Sequence, residues 1–344
     1  MIHVVNNAMD TKKHSHLPVF ILLSIVFIGF IFLASYLSYR QKVDDSVINV
    51  GLKWLHSAQF AGMYVAKTQS LYEKEGLEVE FSEPTEESRS TIESLLAGKS
   101  DFVIVTPLEL LDHIAKGDPV KAVAAIYQES PTVIASLPES GIVEPKDLKN
   151  KTLGTSRTEN FSFSMYKFLV AKYKVPANSV DYKNIGFNVL DDLLSKKVDA
   201  VSLYRTKLYL PEGYPEQSFN IIKPEDHDIH MYNDIIVTTD KMIQEKPEQV
   251  QAFVSATIKG WEFALDYQEE ALDMVIPYTS DRQEDYEFEK YILSVSTPLI
   301  RPEGVKNIGD MKAGRWLEMY HLYKSTVLSP EFDVSKGYTI DFLP

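Results

Sequence analysis

The sequence predicts an α/β chain of two lobes facing one cleft, preceded by one N-terminal transmembrane helix. Three observations predict it. Short apolar strand patterns alternate with helical ones from Val47 to Tyr204, the pattern of parallel α/β units. The run DIIVTT, Asp234–Thr239, has no partner within the second set of units, so it is expected to return to the first sheet. The run Leu17–Leu37 is apolar throughout and carries no charge. A length of 344 residues fits two lobes, and 44% apolar content supplies a core.

Each element has its own warrant. VINVGLK (Val47–Lys53) reads as a strand. Ala58–Gly76 reads as one helix, with Phe60, Met63, Tyr64 and Leu71 on one face, Ser57 as N-cap and Gly76 as the stop. LEVEF (Leu77–Phe81) is a strand, Glu87–Gly98 a helix, Asp101–Thr106 a strand, Pro107–Gly117 a helix and Val120–Gln128 a strand. A second set follows: strands at Thr132–Ser136 and Lys151–Ser156, a short helix at Glu144–Asn150 and a long helix at Glu159–Lys174. Val180–Gly186, Phe187–Lys197 and Val198–Tyr204 form a further strand–helix–strand unit. After Asp234–Thr239 come helices through Tyr267, and the stretch from Asp281 onward is expected to pack back as helices. The crossings fall near Gln128–Pro131 and His227–Asn233. The expected domains are therefore 1–16 as a cytoplasmic tail, 17–38 as anchor or signal and 39–46 as linker. Residues 47–128 plus 233–344 form lobe 1 with the C-terminal helices, and 129–232 form lobe 2.

As a helix of 21 residues, Leu17–Leu37 is about 31 Å long, enough to cross a hydrocarbon core. It is longer than a signal's apolar region and its exit is a poor cleavage site, so it reads as an uncleaved anchor. Lys12 and Lys13 before it nearly balance Arg40 and Lys42 after it, so charge sets orientation weakly.

Composition excludes several classes. A net charge of −14 argues against nucleic acid, which is met with Lys and Arg stripes. The absence of Cys removes disulfides, thiolate zinc sites and Cys nucleophiles. No GxSxG, HExxH or GxGxxG occurs, and the His residues are scattered, so no metal, catalytic residue or bound cofactor is expected.

In an open α/β sheet, ligands bind beyond the carboxyl ends of the strands, beside helix N-termini. The expected ligand-binding residues follow from that placement: Trp54, His56, Gln59, Phe60, Thr106, Gln128, Thr155, Tyr204, Asn233 and Asp234. Trp54 packs as core at a strand end or is an aromatic platform for a flat ring. His56 and Gln59 can hydrogen-bond a heterocycle, and Phe60 borders the cleft. Thr106 adds a hydroxyl or only caps a helix. Gln128 reaches ligand or only satisfies the hinge backbone. Thr155 and its neighbours Ser156 and Arg157 meet a polar group or form a solvated loop. Asp234 can accept from a ring amino group.

GLKWLHSAQFAGMYVAKTQSLYEKEGLEVEF, AAIYQESP, GIVEPKDLKNKTLGTS and KPEQVQAFVSATIKGWEFAL resemble ABC-transporter substrate-binding proteins for thiamine pyrimidine precursors. That family also includes alkanesulfonate and riboflavin binders and thiamine pyrimidine synthase. The resemblance runs from about Val47 to Tyr267. It implies a type II periplasmic-binding-protein fold closing over a small heterocyclic nutrient, outside the cytoplasm, with an ABC permease as partner. The alternative is a sensory role, since HSAQFAG is similar to domains found outside membrane signalling proteins. A synthase-like enzyme is third. The positions matching that branch's cofactor lysine and its histidine four residues on are Val105 and Glu109, and Phe60 replaces a further histidine. Without an amine there is no Schiff base.

Overall fold

The computed structural model describes residues 47–84, 91–156, 161–186, 189–210, 219–279, 286–326 and 330–344. The expected anchor, Leu17–Leu37, lies outside the described residues, and no described helix is long and apolar enough to cross a membrane. The described chain is a mixed α/β fold with two sheets.

The first sheet holds β1 (Val47–Gly51), β2 (Glu78–Ser82), β3 (Phe102–Val105), β4 (Val120–Tyr127) and β10 (Asn233–Thr239), in the order β2-β1-β3-β10-β4. The second holds β5 (Thr132–Ser136), β6 (Thr152–Thr155), β7 (Asp181–Asn184), β8 (Ala200–Tyr204) and β9 (Asn220–Ile222), in the order β7-β6-β8-β5-β9. The sheets are not parallel throughout. β10 runs antiparallel to both β3 and β4, and β5 antiparallel to β8 and β9. The reason lies in the crossings. A chain that leaves one sheet at the carboxyl end of β4 enters the other sheet at its cleft end, so β5 must run away from the cleft. β10 does the same on the way back. Asn233 thereby pairs with Tyr127, and Thr132 with Tyr204, at the ends where the chain crosses between the sheets.

The single helix expected over Ala58–Gly76 is three pieces. A 3-10 turn at Ala58–Phe60 leads into α1 (Ala61–Thr68), and α2 (Leu71–Lys74) follows a break. Ser70 adopts a left-handed conformation, φ 54°, which ends the ladder there. Glu144–Asn150 contains a 3-10 turn at Pro145–Leu148, and β9 was not expected. The other helices are α3 (Thr91–Leu96), α4 (Pro107–Lys116), α5 (Phe161–Lys172), α6 (Val189–Leu194), α7 (Asp240–Glu245), α8 (Pro247–Asp266), α9 (Gln268–Thr279), α10 (Tyr286–Ile300) and α11 (Ala313–Thr326). α4 starts at a Thr106 cap with Pro at its first position and ends at Gly117, φ 81°.

One core layer packs α1, α8, α9 and α10 on the first sheet, with Phe102 and Phe253 stacked at 4.1 Å. A second layer is continuous between the sheets, joining Val103 and Val105 to Leu153, Met165 and Trp316. The far face of the second sheet has its own small core around Leu193 and Val201.

Candidate functional site

β1 carries apolar side chains to its end, and the chain then places one charge where two sheets meet. Lys53 is nearly buried, with 8% of its side chain exposed. Its ammonium lies 2.5 Å from Asp234 Oδ1, donates to Asn233 Oδ1 at 2.7 Å and reaches the Tyr204 hydroxyl at 3.5 Å. Gln59 Nε2 donates to the other Asp234 oxygen at 2.8 Å. Asn233 Nδ2 donates to Tyr204 Oη at 3.2 Å. Four segments thus supply one polar cluster: the residues just after β1, the 3-10 turn that follows, the end of β8 in the second sheet and the start of β10.

Burial works to lower the Lys53 pKa, but Asp234 and then Tyr204 outweigh it and hold it above the ordinary lysine value. The ammonium is therefore kept protonated, and its charge is matched by a carboxylate that is itself buried. Asp234 takes a left-handed backbone, φ 45°, a conformation that a non-glycine residue adopts rarely. Its own N–H donates to Asn233 Oδ1 at 2.8 Å, which helps to hold the turn.

Of the expected residues, Gln59, Tyr204, Asn233 and Asp234 come together here. Trp54 stands at the rim, 41% exposed, with the Lys207 ammonium 5.7 Å from its ring centroid. The others are engaged elsewhere. The His56 ring meets the Tyr64 hydroxyl at 2.7 Å, and its backbone N–H donates to Glu83 at 2.6 Å. Phe60 does not border the cleft but is core, 1% exposed, because the first turn points it into the layer beneath α8. The Thr106 hydroxyl accepts from the Glu109 N–H as a helix cap. Gln128 Nε2 donates to the carbonyls of Ala125 and Asp310, at 2.8 and 2.9 Å, so it satisfies backbone. Thr155 is fully buried at the end of β6. Arg157 lies outside the described residues. Arg205, beside Tyr204, is bonded to Glu225 at 2.7 Å.

Sequence reasoning missed three parts. Lys53 was detectable: a lysine ending an otherwise apolar strand must find a partner or stay unburied. Glu289 of α10 was not, because nothing local marks it. It is fully buried, and its Oε2 accepts the Ala58 N–H at 2.5 Å, holding the turn that carries Gln59. In the same helix the Tyr291 hydroxyl donates to the Arg205 carbonyl at 3.0 Å, so α10 also touches the chain just after β8. The third is a clasp across the two crossings. Glu129 lies 3.0 Å from His230 Nδ1 and 3.2 Å from Arg315, which also donates to the Gln128 carbonyl.

Removing the Glu289 acceptor leaves a buried N–H without its partner. Glu289→Ala is therefore expected to cost about 1–3 kcal/mol, and Glu289→Gln, which keeps an acceptor, clearly less. Urea unfolding of the two variants checks this, and equal losses would discard the capping role.

The family model described as NMT1/THI5 like matches residues 57–271. The riboflavin-binding protein RibY of Chloroflexus aurantiacus is 24% identical over 306 residues, 86% of this chain and 86% of that protein. The formylaminopyrimidine-binding protein of Halalkalibacterium halodurans is 24% identical, over 72% of this chain and 76% of that one. The 4-amino-5-hydroxymethyl-2-methylpyrimidine phosphate synthase of Legionella pneumophila is 25% identical, over 87% and 93%. Among solved structures, the periplasmic aliphatic sulphonate binding protein SsuA from Escherichia coli aligns with a TM-score of 0.67 at 12% identity, over 85% of this chain and 91% of that chain.

Proposed function

The chain belongs to the NMT1/THI5-like family, and from that premise we propose that it is an extracytoplasmic solute-binding protein. It captures a small heterocyclic nutrient, of the thiamine pyrimidine precursor or riboflavin kind, and delivers it to an ABC permease. Residues 17–38 anchor it to the membrane. The ligand lies between lobe 1 (47–128 plus 233–344) and lobe 2 (129–232), with Trp54 stacking on the ring and Gln59, Tyr204, Asn233 and Asp234 reading its polar edge. The observation that carries this reading is the polar cluster itself. It is assembled from strand ends of both sheets, beside an exposed tryptophan. Closure of the lobes around the two crossings is the signal that a permease recognises.

Synthase chemistry is not part of the proposal. Val105 offers no amine, and Glu109 is engaged with Thr91 and the Ile92 N–H. Lys53, a lysine at the cleft, is held as a protonated ion pair, the opposite of what a Schiff-base lysine needs. These residues do not fit pyridoxal phosphate.

Thermal unfolding of the full chain in detergent tests the reading, with riboflavin, formylaminopyrimidine, hydroxymethylpyrimidine, taurine and pyridoxal phosphate as ligands. A ligand at about 100 times its Kd adds about 2.7 kcal/mol, a shift of a few degrees. One of the heterocycles is expected to give that shift, and Trp54→Ala to reduce its affinity about tenfold, given a stack worth about 1 kcal/mol plus lost area. No shift with riboflavin or with either pyrimidine would remove the nutrient assignment.

A further inference from the structure

The Lys53 ammonium has three N–H donors, and three acceptors surround it: Asp234 Oδ1, Asn233 Oδ1 and Tyr204 Oη. The second Asp234 oxygen is taken by Gln59. The charges are matched one to one: Asn233 and Tyr204 accept hydrogen bonds from the cation, and Asp234 Oδ1 meets it as an ion pair. Two other described cations nearby are also engaged. Arg205 is bonded to Glu225, and Lys207 lies against the rings of Trp54 and Phe288. A sulfonate or phosphate seeking Lys53 must compete with Asp234 for one ammonium, bringing two anions together where water is scarce. Tyr204 accepts two hydrogen bonds and retains its own O–H to donate. That suits a ring carbonyl or ring nitrogen.

We propose that the Lys53–Asp234 pair is the specificity filter of this cleft, making its floor electrically neutral so that it takes uncharged heterocycles and rejects sulfonates and phosphate esters. This rests on the cleft being the ligand site. It separates this chain from the sulfonate binder that shares its fold.

The test uses the full chain in detergent and isothermal titration with taurine, inorganic phosphate, riboflavin and riboflavin 5′-phosphate. In the unaltered protein, the phosphate ester is expected to bind at least about tenfold more weakly than riboflavin, and taurine no better than millimolar. Asp234→Asn keeps the left-handed backbone, which Asn tolerates, and leaves the Lys53 charge uncompensated. It is expected to gain about tenfold or more for taurine or phosphate, and Lys53→Gln on top of it to abolish that gain. Micromolar binding of taurine by the unaltered chain would overturn the filter. So would a folded Asp234→Asn protein with no gained anion affinity. If Asp234→Asn does not fold, the taurine titration of the unaltered chain decides alone: no binding upholds the filter and micromolar binding ends it. Failure of every heterocycle to bind would instead defeat the nutrient reading, and the anion arms still report on the filter.

Discussion

Lys53→Met is expected to destabilise the protein by about 3–5 kcal/mol, because it strands the Asp234 carboxylate in a buried site. The magnitude follows from asymmetry. Building the pair costs desolvation of two charges, and its net contribution is small. Removing one partner leaves the other with the full penalty and no compensation. Asp234 is 3% exposed, so water cannot replace the ammonium without opening the packing around it. For a chain of this size, the loss corresponds to a fall in Tm of roughly 5–10 °C. The double variant Lys53→Met/Asp234→Asn removes both charges, retains an acceptor for Gln59 and is expected to recover most of the loss. Urea unfolding of the parent, both single variants and the double closes the cycle, with a coupling above about 2 kcal/mol expected. Additive losses would show that the two groups do not depend on each other. Alkali should act in the same direction. The folded-state pKa of Lys53 is raised, so the stability it contributes is complete below the ordinary lysine value of about 10.4 and is lost as pH rises through the raised value. The parent should therefore lose more stability above about pH 10.4 than the double variant does.

Gly260→Ala is the second large effect. α1 and α8 cross with backbone against backbone. A Cβ at Gly260 would lie 2.0 Å from the Gly62 carbonyl oxygen and 2.9 Å from the Ala66 Cβ. A Cβ at Gly62 would lie 2.2 Å from Trp261 Cγ. Neither the carbonyl nor the buried indole can step aside, so the helices must separate. Overpacking of this kind costs about 1–3 kcal/mol, and a rigid backbone neighbour puts this case at or above the upper end. α1 follows directly from the turn that carries Gln59, so separation should also weaken ligand binding. Gly314→Ala is the control. It also sits in a helix, but nothing lies within 4 Å of its added methyl. It is expected to be neutral or to stabilise by up to about 1 kcal/mol. Chemical denaturation of both variants tests the contrast. A Gly260→Ala protein as stable as its parent would mean that the crossing is loose.

Much of the fold was legible because it is written in local patterns. Period-two and period-3.6 alternation located the strands and helices, and Pro107 and Gly117 bounded α4 as their backbone preferences dictate. The return of the strand at Asn233 followed from counting partners. The mixed strand directions did not, because direction is set by which end of a sheet the chain enters. Among the candidate site residues, Gln59, Tyr204, Asn233 and Asp234 could be expected near one another because strand ends converge there, and they meet in one polar cluster. The directions of the His56 and Phe60 side chains could not be read from position alone, and position left both readings of Gln128 open. Each stands near the same cleft end of its strand or turn, and side-chain direction sends each one elsewhere.

By itself, then, the sequence determined the alternating elements, the two sets that form two sheets and the neighbourhood where polar and aromatic residues gather. All of these rest on interactions between residues close in the chain, or on the simple demand that an apolar face be covered. Only the tertiary structure decided which polar groups satisfy one another. Lys53 and Asp234 are 181 positions apart, and Ala58 and Glu289 are 231 apart. Burial makes each of these groups depend on a partner, but nothing local names that partner, since many acids and amides could serve until the packing of the two sheets and their helices leaves one within reach.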